Sequence, residues 1–500
     1  MAVKEHKPIE NGLKAKLCYA SGDIYGGGAF MIFSLLFMNF LVLVEGLPVM
    51  ATTIIIFIGR IWDAVTDPIV GRISDKTRSR FGRRRIFFLI GIIPVYLSFI
   101  MLFYSFGIES ITAKIIYYAF AYMFFGTAFA IVMVPYNAIL SDMISDYNER
   151  TSFTTVRMLF SGGAALLSAV IPSILIRTFG AEVISPEQAP GYLVMALVFG
   201  GIFALAWVAA FIGTREKKEL PPVEKITLAS WISVFKNKAY RNFLGIFLSF
   251  QVAVDLVLAM FIFYIDIVVL QYQNYELIVG TLLVCSILLM PVMGGIAKRK
   301  SKAHPLYIGL PIWMLATTAY IWLDATVPVI VLCILAVLTA VGSSAGNLST
   351  WSMLTDIFEI DEVLTGSRRE GIYSGMTTFL RKFSSGIAVL LMGFGFSAIG
   401  FDQSEYALLK ASLTDFDPIV YAQGPIVSGI RWMFVIIPFV LLGTCLLFAI
   451  KNKITKQRFD AVLKAINSFK SRGTIDDLNE QEIADVLIAT GTSKDRLWGK

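Results

Sequence analysis

Twelve stretches of mostly apolar residues, each about twenty or more long, follow one another along the chain. They cover roughly residues 17–43, 49–71, 85–105, 112–140, 153–178, 191–213, 240–270, 276–297, 305–324, 327–355, 371–400 and 427–450. A run of about 20 apolar residues lets an α-helix cross the hydrocarbon of a bilayer. In lipid each backbone N–H and C=O must be satisfied inside the protein, so such runs fold as helices. The 500-residue chain is 56% hydrophobic and only 16% charged, with a mean hydropathy of +0.72. Soluble globular chains run near 45–50% apolar and about 25% charged. The class is therefore an all-α, polytopic membrane protein with twelve transmembrane helices.

The scarce charge is distributed by topology. Lys and Arg gather in alternate loops: Lys4, Lys7, Lys14 and Lys16; Arg72 to Arg85; Arg215 to Arg241; Lys298 to Lys302; and the tail after Lys451. The intervening segments around Glu45, Gln271 to Glu276 and Asp324 to Pro328 hold none. This is the positive-inside pattern, and it predicts a multi-pass cell-membrane protein with both termini in the cytoplasm. The net charge of +7 needs no nucleic-acid partner to explain it. The four cysteines, Cys18, Cys285, Cys333 and Cys445, are far apart and fit no metal spacing or disulfide framework. His6 and His304 both lie near charged loops, which excludes a histidine proton relay within the membrane. The first apolar run lacks a cleavage site of signal-peptide type and reads as a retained helix.

A charged stretch from Thr214 to Lys238, containing Pro221-Pro222, divides the twelve runs into two sets of six. Leu140-Ser-Asp142 follows the fourth run and Leu354-Thr-Asp356 the tenth, with the two Asp positions 214 residues apart (356 − 142). Arg157-Met-Leu-Phe-Ser161-Gly162 is echoed by Arg381-Lys-Phe-Ser384-Ser385-Gly386. These pairs predict a duplication: an N-terminal six-helix half (1–213), a cytoplasmic linker (214–239), a pseudo-symmetric C-terminal half (240–450) and a helical cytoplasmic tail (451–500). Transporters built from related halves place their substrate site where the halves meet. In the tail, Phe459, Val462, Leu463, Ile466 and Phe469 recur at helical spacing, and Thr474 is the expected cap of a second helix through Ile483 and Leu487.

Ionisable groups inside spans are costly and mark function by default. The densest set is Arg60-Ile-Trp62-Asp63-Ala-Val-Thr66-Asp67-Pro68 in the second run. Asp63 and Asp67 are four apart and share one helix face. Two carboxylates there repel each other and are poorly solvated, and a bound cation relieves both penalties. With the Thr66 hydroxyl they form a hard oxygen site for Na⁺; a single carboxylate there can carry H⁺ instead. The alternative is a plain salt-bridge network with Arg60 and another basic residue. Asp255 and Asp266 lie in the seventh run, Asp255 near its middle and Asp266 near its outer, wetter end. Tyr136, Trp351 and Tyr264 are candidates to stack on a sugar face or to pack in the core.

The string Arg60-Ile-Trp-Asp63-Ala-Val-Thr-Asp67-Pro, continuing through Gly71-Arg-Ile-Ser-Asp75 to Arg-Ser-Arg80-Phe-Gly82, closely resembles the glycoside–pentoside–hexuronide:cation symporter family, relatives of melibiose permease in the major facilitator superfamily. Val134-Pro135-Tyr136 and Leu364-Thr-Gly366-Ser-Arg368-Arg-Glu370-Gly371 with Phe379-Leu-Arg381-Lys382 are similar to the same family, especially its glucuronide-type members. The resemblance spans residues 15 to 450. It implies the major facilitator fold, alternating access and cation-coupled sugar uptake. It assigns the cation to Asp63 and Asp67, with Thr66 where the family has Asn. It aligns the family's fifth-helix Arg with Arg157 and its eleventh-helix Lys with Lys382, each paired with Asp63 or Asp67 or facing substrate. Arg60, Asp75, Asp142, Asp356 and Arg381 form the expected gating charge network.

The chain departs from the family at the sugar. Gly27 and Met133 stand where melibiose permease has acids, and Ala130 where it has a cation-holding Thr. Asp23, one turn before Gly27, is a partial substitute, and glycines 26 to 28 leave space for a ligand or for close helix contact. Losing two acids while keeping Arg157, Arg381 and Lys382 points to an anionic glycoside such as a glucuronide. The expected substrate set is thus Asp23, Gly27, Tyr136, Arg157, Asp255, Trp351 and Lys382. Cofactors are not expected beyond the coupling Na⁺ or H⁺. The partners are a small-molecule substrate and the bilayer, and the chain is expected to be a monomer. An amphiphilic lysolipid-like cargo and a non-transporting sensor are the alternatives; no nucleophile–base pair, metal cluster or phosphate loop suggests an enzyme.

Overall fold

The structure is a computed structural model that describes residues 12–144, 147–181, 184–216, 228–367, 369–411, 421, 423–472, 474–475 and 477–499. The side chains of Asp75 and Asp142 lie outside the described residues, as does the Pro221-Pro222 stretch of the linker. All regular structure among the described residues is helical. Among the described residues, eleven helices are long and apolar enough to cross a membrane. In the first half they are α1 (Leu13–Ile32, carried on to Val44 by two π-helical turns), α2 (Val49–Lys76), α3 (Arg85–Leu102), α4 (Ile111–Met143), α5 (Tyr147–Phe179) and α6 (Ala189–Gly213). A short α7 (Leu228–Ser233) follows.

The second half continues with α8 (Lys238–Phe263, extended by a π turn to Val268), α9 (Tyr275–Arg299), α11 (Val329–Thr365), α12 (Glu370–Ala398) and, after a short α13 (Gln403–Ala411), α14 (Pro425–Ile450). The twelfth span is α10 (His304–Ala319), sixteen residues of α-helix prolonged by a 3₁₀ turn to Trp322. Most ends fall within a few residues of the apolar runs. The main exception is α11, whose 37 residues reach about 55 Å. It continues through the acidic stretch after Leu354 and stops at Gly366, whose φ of 72° is the left-handed conformation that closes a helix without a Cβ penalty.

The chain divides into two compact units, residues 1–223 with 389–416 and residues 224–388 with 417–500. In the first, α1 packs on α5 and α6, α2 on α4, and α3 on α4 and α6. In the second, α8 packs on α14, α9 on α11, and α10 on α11 and α14. Most of these pairings recur, with α8 in the place of α1; the α1–α5 contact is peculiar to the first unit. Both α1 and α8 also end in a π-helical turn, Phe40–Val44 and Tyr264–Val268. The cores are aromatic. In the first unit Tyr25 contacts Phe203 and Trp207 edge-on at 5.3 and 6.1 Å. In the second Phe434 stacks on Tyr264 at 4.6 Å.

One carboxylate organises the loop after α2. The backbone N–H groups of Arg83, Arg84 and Arg85 donate to Glu216 at 2.8, 2.7 and 2.6 Å. These are donors at the start of α3, which no earlier carbonyl can reach. Gly82, at φ 114°, makes the turn that aims them inward. The basic run is partly spent inside the protein as well. Arg84 donates to the Ala138 carbonyl, and Arg85 donates to that of Phe211 at 2.7 Å while lying 4.2 Å over its ring.

The tail forms α15 (Lys456–Arg472) and α16 (Glu480–Thr490). The second helix is capped by Asn479, not by Thr474. Asn479 Oδ1 accepts from the Glu482 N–H at 2.8 Å, and Glu482 accepts from the Asn479 N–H at 2.9 Å. The Thr474 carbonyl instead accepts from Ser468 at 2.9 Å. Val462, Ala465, Ile466 and Val486 are buried. The tail lies against the end of α11, where Lys470 meets Glu362 at 2.6 Å and Trp498 stacks on Phe469 at 3.9 Å.

Replacing Glu216 with Ala strands three N–H donors at the head of α3. It should cost about 1–3 kcal/mol of stability, read as a lower midpoint in thermal unfolding of the detergent-solubilised protein. An unchanged midpoint would show that these donors are satisfied without the carboxylate.

Candidate functional site

In the first unit the acids of α2 face inward from a helix whose opposite side is exposed through Trp62, Val65 and Ile69. Asp63 and Thr66 are buried and Asp67 is half-buried. The Thr66 hydroxyl donates to the Asp63 carbonyl at 3.3 Å, which leaves its oxygen lone pairs for a ligand. The Asp63 carboxylate lies against α4 at Gly126, where a Cβ would collide with Oδ1. The small residue on α4 makes room for the acid. Arg60, one turn before Asp63, is buried between the rings of Phe30 and Phe33, 5.2 and 5.3 Å from their centroids. Cation–π contact of this kind holds a guanidinium where water is scarce.

A second polar cluster joins α1, α4 and α5. Arg157 donates from Nε to Asp23 Oδ2 at 3.0 Å and from Nη2 to Asp23 Oδ1 at 3.4 Å. Nη2 also donates to Asn137 Oδ1 at 2.6 Å. The Tyr136 ring lies 4.6 Å from the guanidinium carbon. Tyr136 itself is fully buried, stacked on Tyr19 at 4.9 Å, with its hydroxyl donating to the Tyr19 carbonyl at 2.9 Å. The guanidinium is thus held along one edge and one face. Its side chain retains 16% exposure while that of Asp23 falls to 6%. Arg157 therefore pairs with Asp23; of the two expectations for it, pairing with Asp63 or Asp67 is not met.

The second unit repeats this arrangement. Arg381 of α12 donates from Nη2 to Asp255 Oδ1 at 3.4 Å and from Nε to Gln251 Oε1 at 3.2 Å. Gln251 and Asp255 are one turn apart on α8, so they share a face. Asp255 Oδ2 is buried and has no hydrogen-bond partner among the described residues. Asp23 on α1 with Arg157 on α5 thus corresponds to Asp255 on α8 with Arg381 on α12. The sequence pairing of Arg157 with Arg381 extends to their acids.

The remaining candidates separate. Trp351 is 48% exposed and meets Phe247 edge-on at 5.3 Å. Tyr264 is fully buried, with its hydroxyl donating to the Tyr320 carbonyl at 2.6 Å. Asp266 is buried at 2% exposure and is not the wet outer residue that its position suggested, because the π turn keeps it facing inward. Asp356 pairs with Lys302 and lies well along α11, apart from the Arg381 cluster. Lys382 adjoins Arg381 on α12. Gly27 sits where α1 meets α5: a Cβ there would lie 2.5 Å from the Ser161 carbonyl oxygen. Sequence reasoning overlooked Asn137 and Gln251, whose amides complete the two arginine clusters. Their only signal was a polar residue one turn or less from a singled-out residue.

A family model described as "MFS/sugar transport protein" matches residues 18–456, most of the chain. The chain belongs to this family of major facilitator transporters. Its curated relatives place it among the glycoside–pentoside–hexuronide:cation symporters. The glucuronide carrier protein homolog of Escherichia coli is 22% identical, over 94% of this chain and 97% of that one. The sodium-dependent lysophosphatidylcholine symporter 1 of Gallus gallus is 25% identical, over 77% of this chain and 79% of that one. Among solved structures, a mutant of the nucleoside transporter NupG aligns over 90% of this chain and 99% of its own, with a TM-score of 0.57 at 12% identity. That likeness speaks to the fold. The chain is thus a multi-pass membrane transporter. Among its described residues no group of three or more His, Cys, Asp or Glu could hold a metal ion.

Within this symporter fold the α1–α5 contact carries the Arg157–Asp23 pair, and its closeness can be tested. Gly27→Ala puts a methyl against the Ser161 backbone and should cost about 1–3 kcal/mol. Gly163→Ala, on α5 with nothing within 4 Å of the new Cβ, should be neutral or stabilising by about 0.5–1 kcal/mol. Equal effects of the two in thermal unfolding would contradict the packing described.

Proposed function

We propose that the chain is a symporter that couples inward flow of Na⁺ or H⁺ to uptake of a glycoside bearing an acidic group. The membrane is the cell membrane, with both termini in the cytoplasm, as the alternating basic loops support. Asp63, Asp67 and Thr66 are the cation ligands. Two carboxylates and a hydroxyl on one face of α2 offer hard oxygens to Na⁺, and either acid can carry a proton instead. Cation binding removes the repulsion between the acids and so favours the state in which they are enclosed. Alternating access then couples that change to substrate.

The observation that carries the substrate reading is the geometry of Arg157. Asp23, Asn137 and the Tyr136 ring fix the guanidinium, and its side chain keeps 16% exposure. A planar donor held in this way is suited to a carboxylate or sulfonate on a sugar. Arg381 and Lys382 supply further positive charge in the second unit. The glucuronide carrier relative supports this choice. A second reading, an amphiphilic lysolipid-like cargo in the same fold, is favoured by the likeness to the lysophosphatidylcholine symporter.

Right-side-out vesicles given a labelled glucuronide and an imposed Na⁺ or H⁺ gradient test both halves of the proposal. One of the two gradients should accelerate uptake, and Asp63→Asn should abolish the acceleration. Stimulation by neither ion would sink the coupling, as would normal coupling in the Asp63→Asn, Asp67→Asn double variant. Gradient-driven uptake of a labelled lysolipid with none of the glucuronide would establish the second reading instead.

Gly126→Ala should be subtler. Its Cβ takes the space of the Asp63 carboxylate, so the half-saturating cation concentration should rise about tenfold, equivalent to about 1.4 kcal/mol. A wild-type cation dependence would remove Asp63 from the cation site.

A further inference from the structure

Arg431 lies seven residues into α14, at the end of the second unit opposite the tail. The buried face of this helix runs through Val427, Ile430, Phe434, Val435 and Leu442, each at most 2% exposed. Trp432, Ile436, Phe439 and Val440 form the exposed side. At 100° per residue, Arg431 falls in the middle of the buried arc, one turn from Val427, Phe434 and Val435. Its charge therefore points into the unit and away from lipid. Arg431 makes no ion pair or hydrogen bond with any described residue, and its Nε and Nη2 are closed off from solvent.

The surroundings are built. Phe434, on the same face, stacks on Tyr264 at 4.6 Å and meets Tyr320 edge-on at 5.3 Å. These three rings form an aromatic layer one turn deeper than Arg431. Arg431 is within electrostatic reach of Tyr264 and of Asp324. Asp324 is in the exposed loop between α10 and α11, where its Oδ1 accepts from the Thr326 N–H at 2.9 Å and the Thr326 hydroxyl at 2.6 Å. Those bonds, with the charge of Arg431, hold the Asp324 carboxyl below the usual carboxylate range. Asp324 is thus committed to Thr326 and acts on Arg431 only at a distance.

A half-buried guanidinium with two enclosed donors, Nε and Nη2, that meet nothing among the described residues is costly, and a partner of opposite charge removes the cost. We propose that Arg431 is an oxyanion-binding residue, the point at which the second unit takes the carboxylate, sulfonate or phosphate of an acidic substrate. The ligand class is an oxyanion because the guanidinium offers parallel N–H donors at fixed spacing. The aromatic layer beneath suits the apolar face of a sugar ring attached to that anion. The assignment to substrate rests on the acidic-glycoside reading given above; the anion site itself does not.

Thermal unfolding of the purified full-length protein tests this, with sodium glucuronate, sodium sulfate and sodium phosphate each compared with sodium chloride at equal ionic strength. A ligand that binds only the folded state raises its midpoint. The wild type should be stabilised by glucuronate and by the inorganic oxyanions. Arg431→Met should need at least tenfold more of each for the same shift, and Arg431→Lys should fall between. Without added anion, Arg431→Met should unfold no earlier than the wild type, since an apolar side chain replaces a half-buried charge with enclosed, unmet donors. If that variant does not fold, Arg431→Lys carries the comparison. A sulfate or phosphate shift that depends on Arg431, with none for glucuronate, would keep the anion site and overturn the acidic-glycoside reading. Equal shifts in wild type and Arg431→Met, or no shift in the wild type with any oxyanion, would overturn the proposal.

Discussion

A guanidinium carried on a membrane helix is costly unless a partner offsets its charge, because little water is at hand to do it. Arg157 and Arg381, one in each unit, meet that demand in the same way. An arginine on the fifth helix of the set faces an aspartate on the first, and a side-chain amide completes the shell: Arg157 with Asp23 and Asn137, Arg381 with Asp255 and Gln251. The pairs tie the helices that carry them. In the first unit the tie comes with a close approach of α1 to α5, where Gly27 lets the helix reach the Ser161 backbone. The pairs also fix the orientation of the donors, so that a ligand meets a guanidinium already set in one direction.

The same logic extends to the tail side of the second unit. The end of α11 carries Asp356, Asp361 and Glu362, all buried, and each is met by a base from a different element. Lys302 comes from the loop after α9, Arg369 from the loop after α11 at 2.6 Å, and Lys470 from the tail at 2.6 Å. Tyr373 donates to Asp361 as well, at 2.6 Å. The long helix is thus fastened at its end by charge, while its middle is fastened by packing. Arg369, outside the spans, is held more firmly in its charged form by its bonds to Asp361.

Most of the architecture could be read from residue order. Twelve apolar runs of bilayer length, alternate basic loops and a charged midpoint are long-range patterns that tertiary contacts do not overturn. The Arg157 and Arg381 echoes were legible for the same reason. Their partners were not, because which acid meets which arginine depends on helix rotation and packing, to which spacing along the chain is blind. Asp23 was read as a partial substitute for a sugar acid, and Arg157 as a partner of Asp63 or Asp67 or as facing substrate. Glu216 was hidden in a linker, although its carboxylate organises the start of α3 more than 130 residues away. The Asn479 cap was missed in favour of Thr474 because both are good caps, and the turn between them decides. Arg431 had a visible signal, a charge on the apolar face of the last span, that the family motifs did not include.

The central claim is that the two buried arginine–aspartate pairs are working couples. Double-mutant cycles test it most directly: Asp23→Asn and Arg157→Gln alone and together, and Asp255→Asn and Arg381→Gln likewise, each followed by equilibrium unfolding. Every single change should cost about 3–5 kcal/mol by leaving a charge uncompensated. Each double variant should cost less than the sum of its singles by at least about 1 kcal/mol. Additive costs in both cycles would contradict the account.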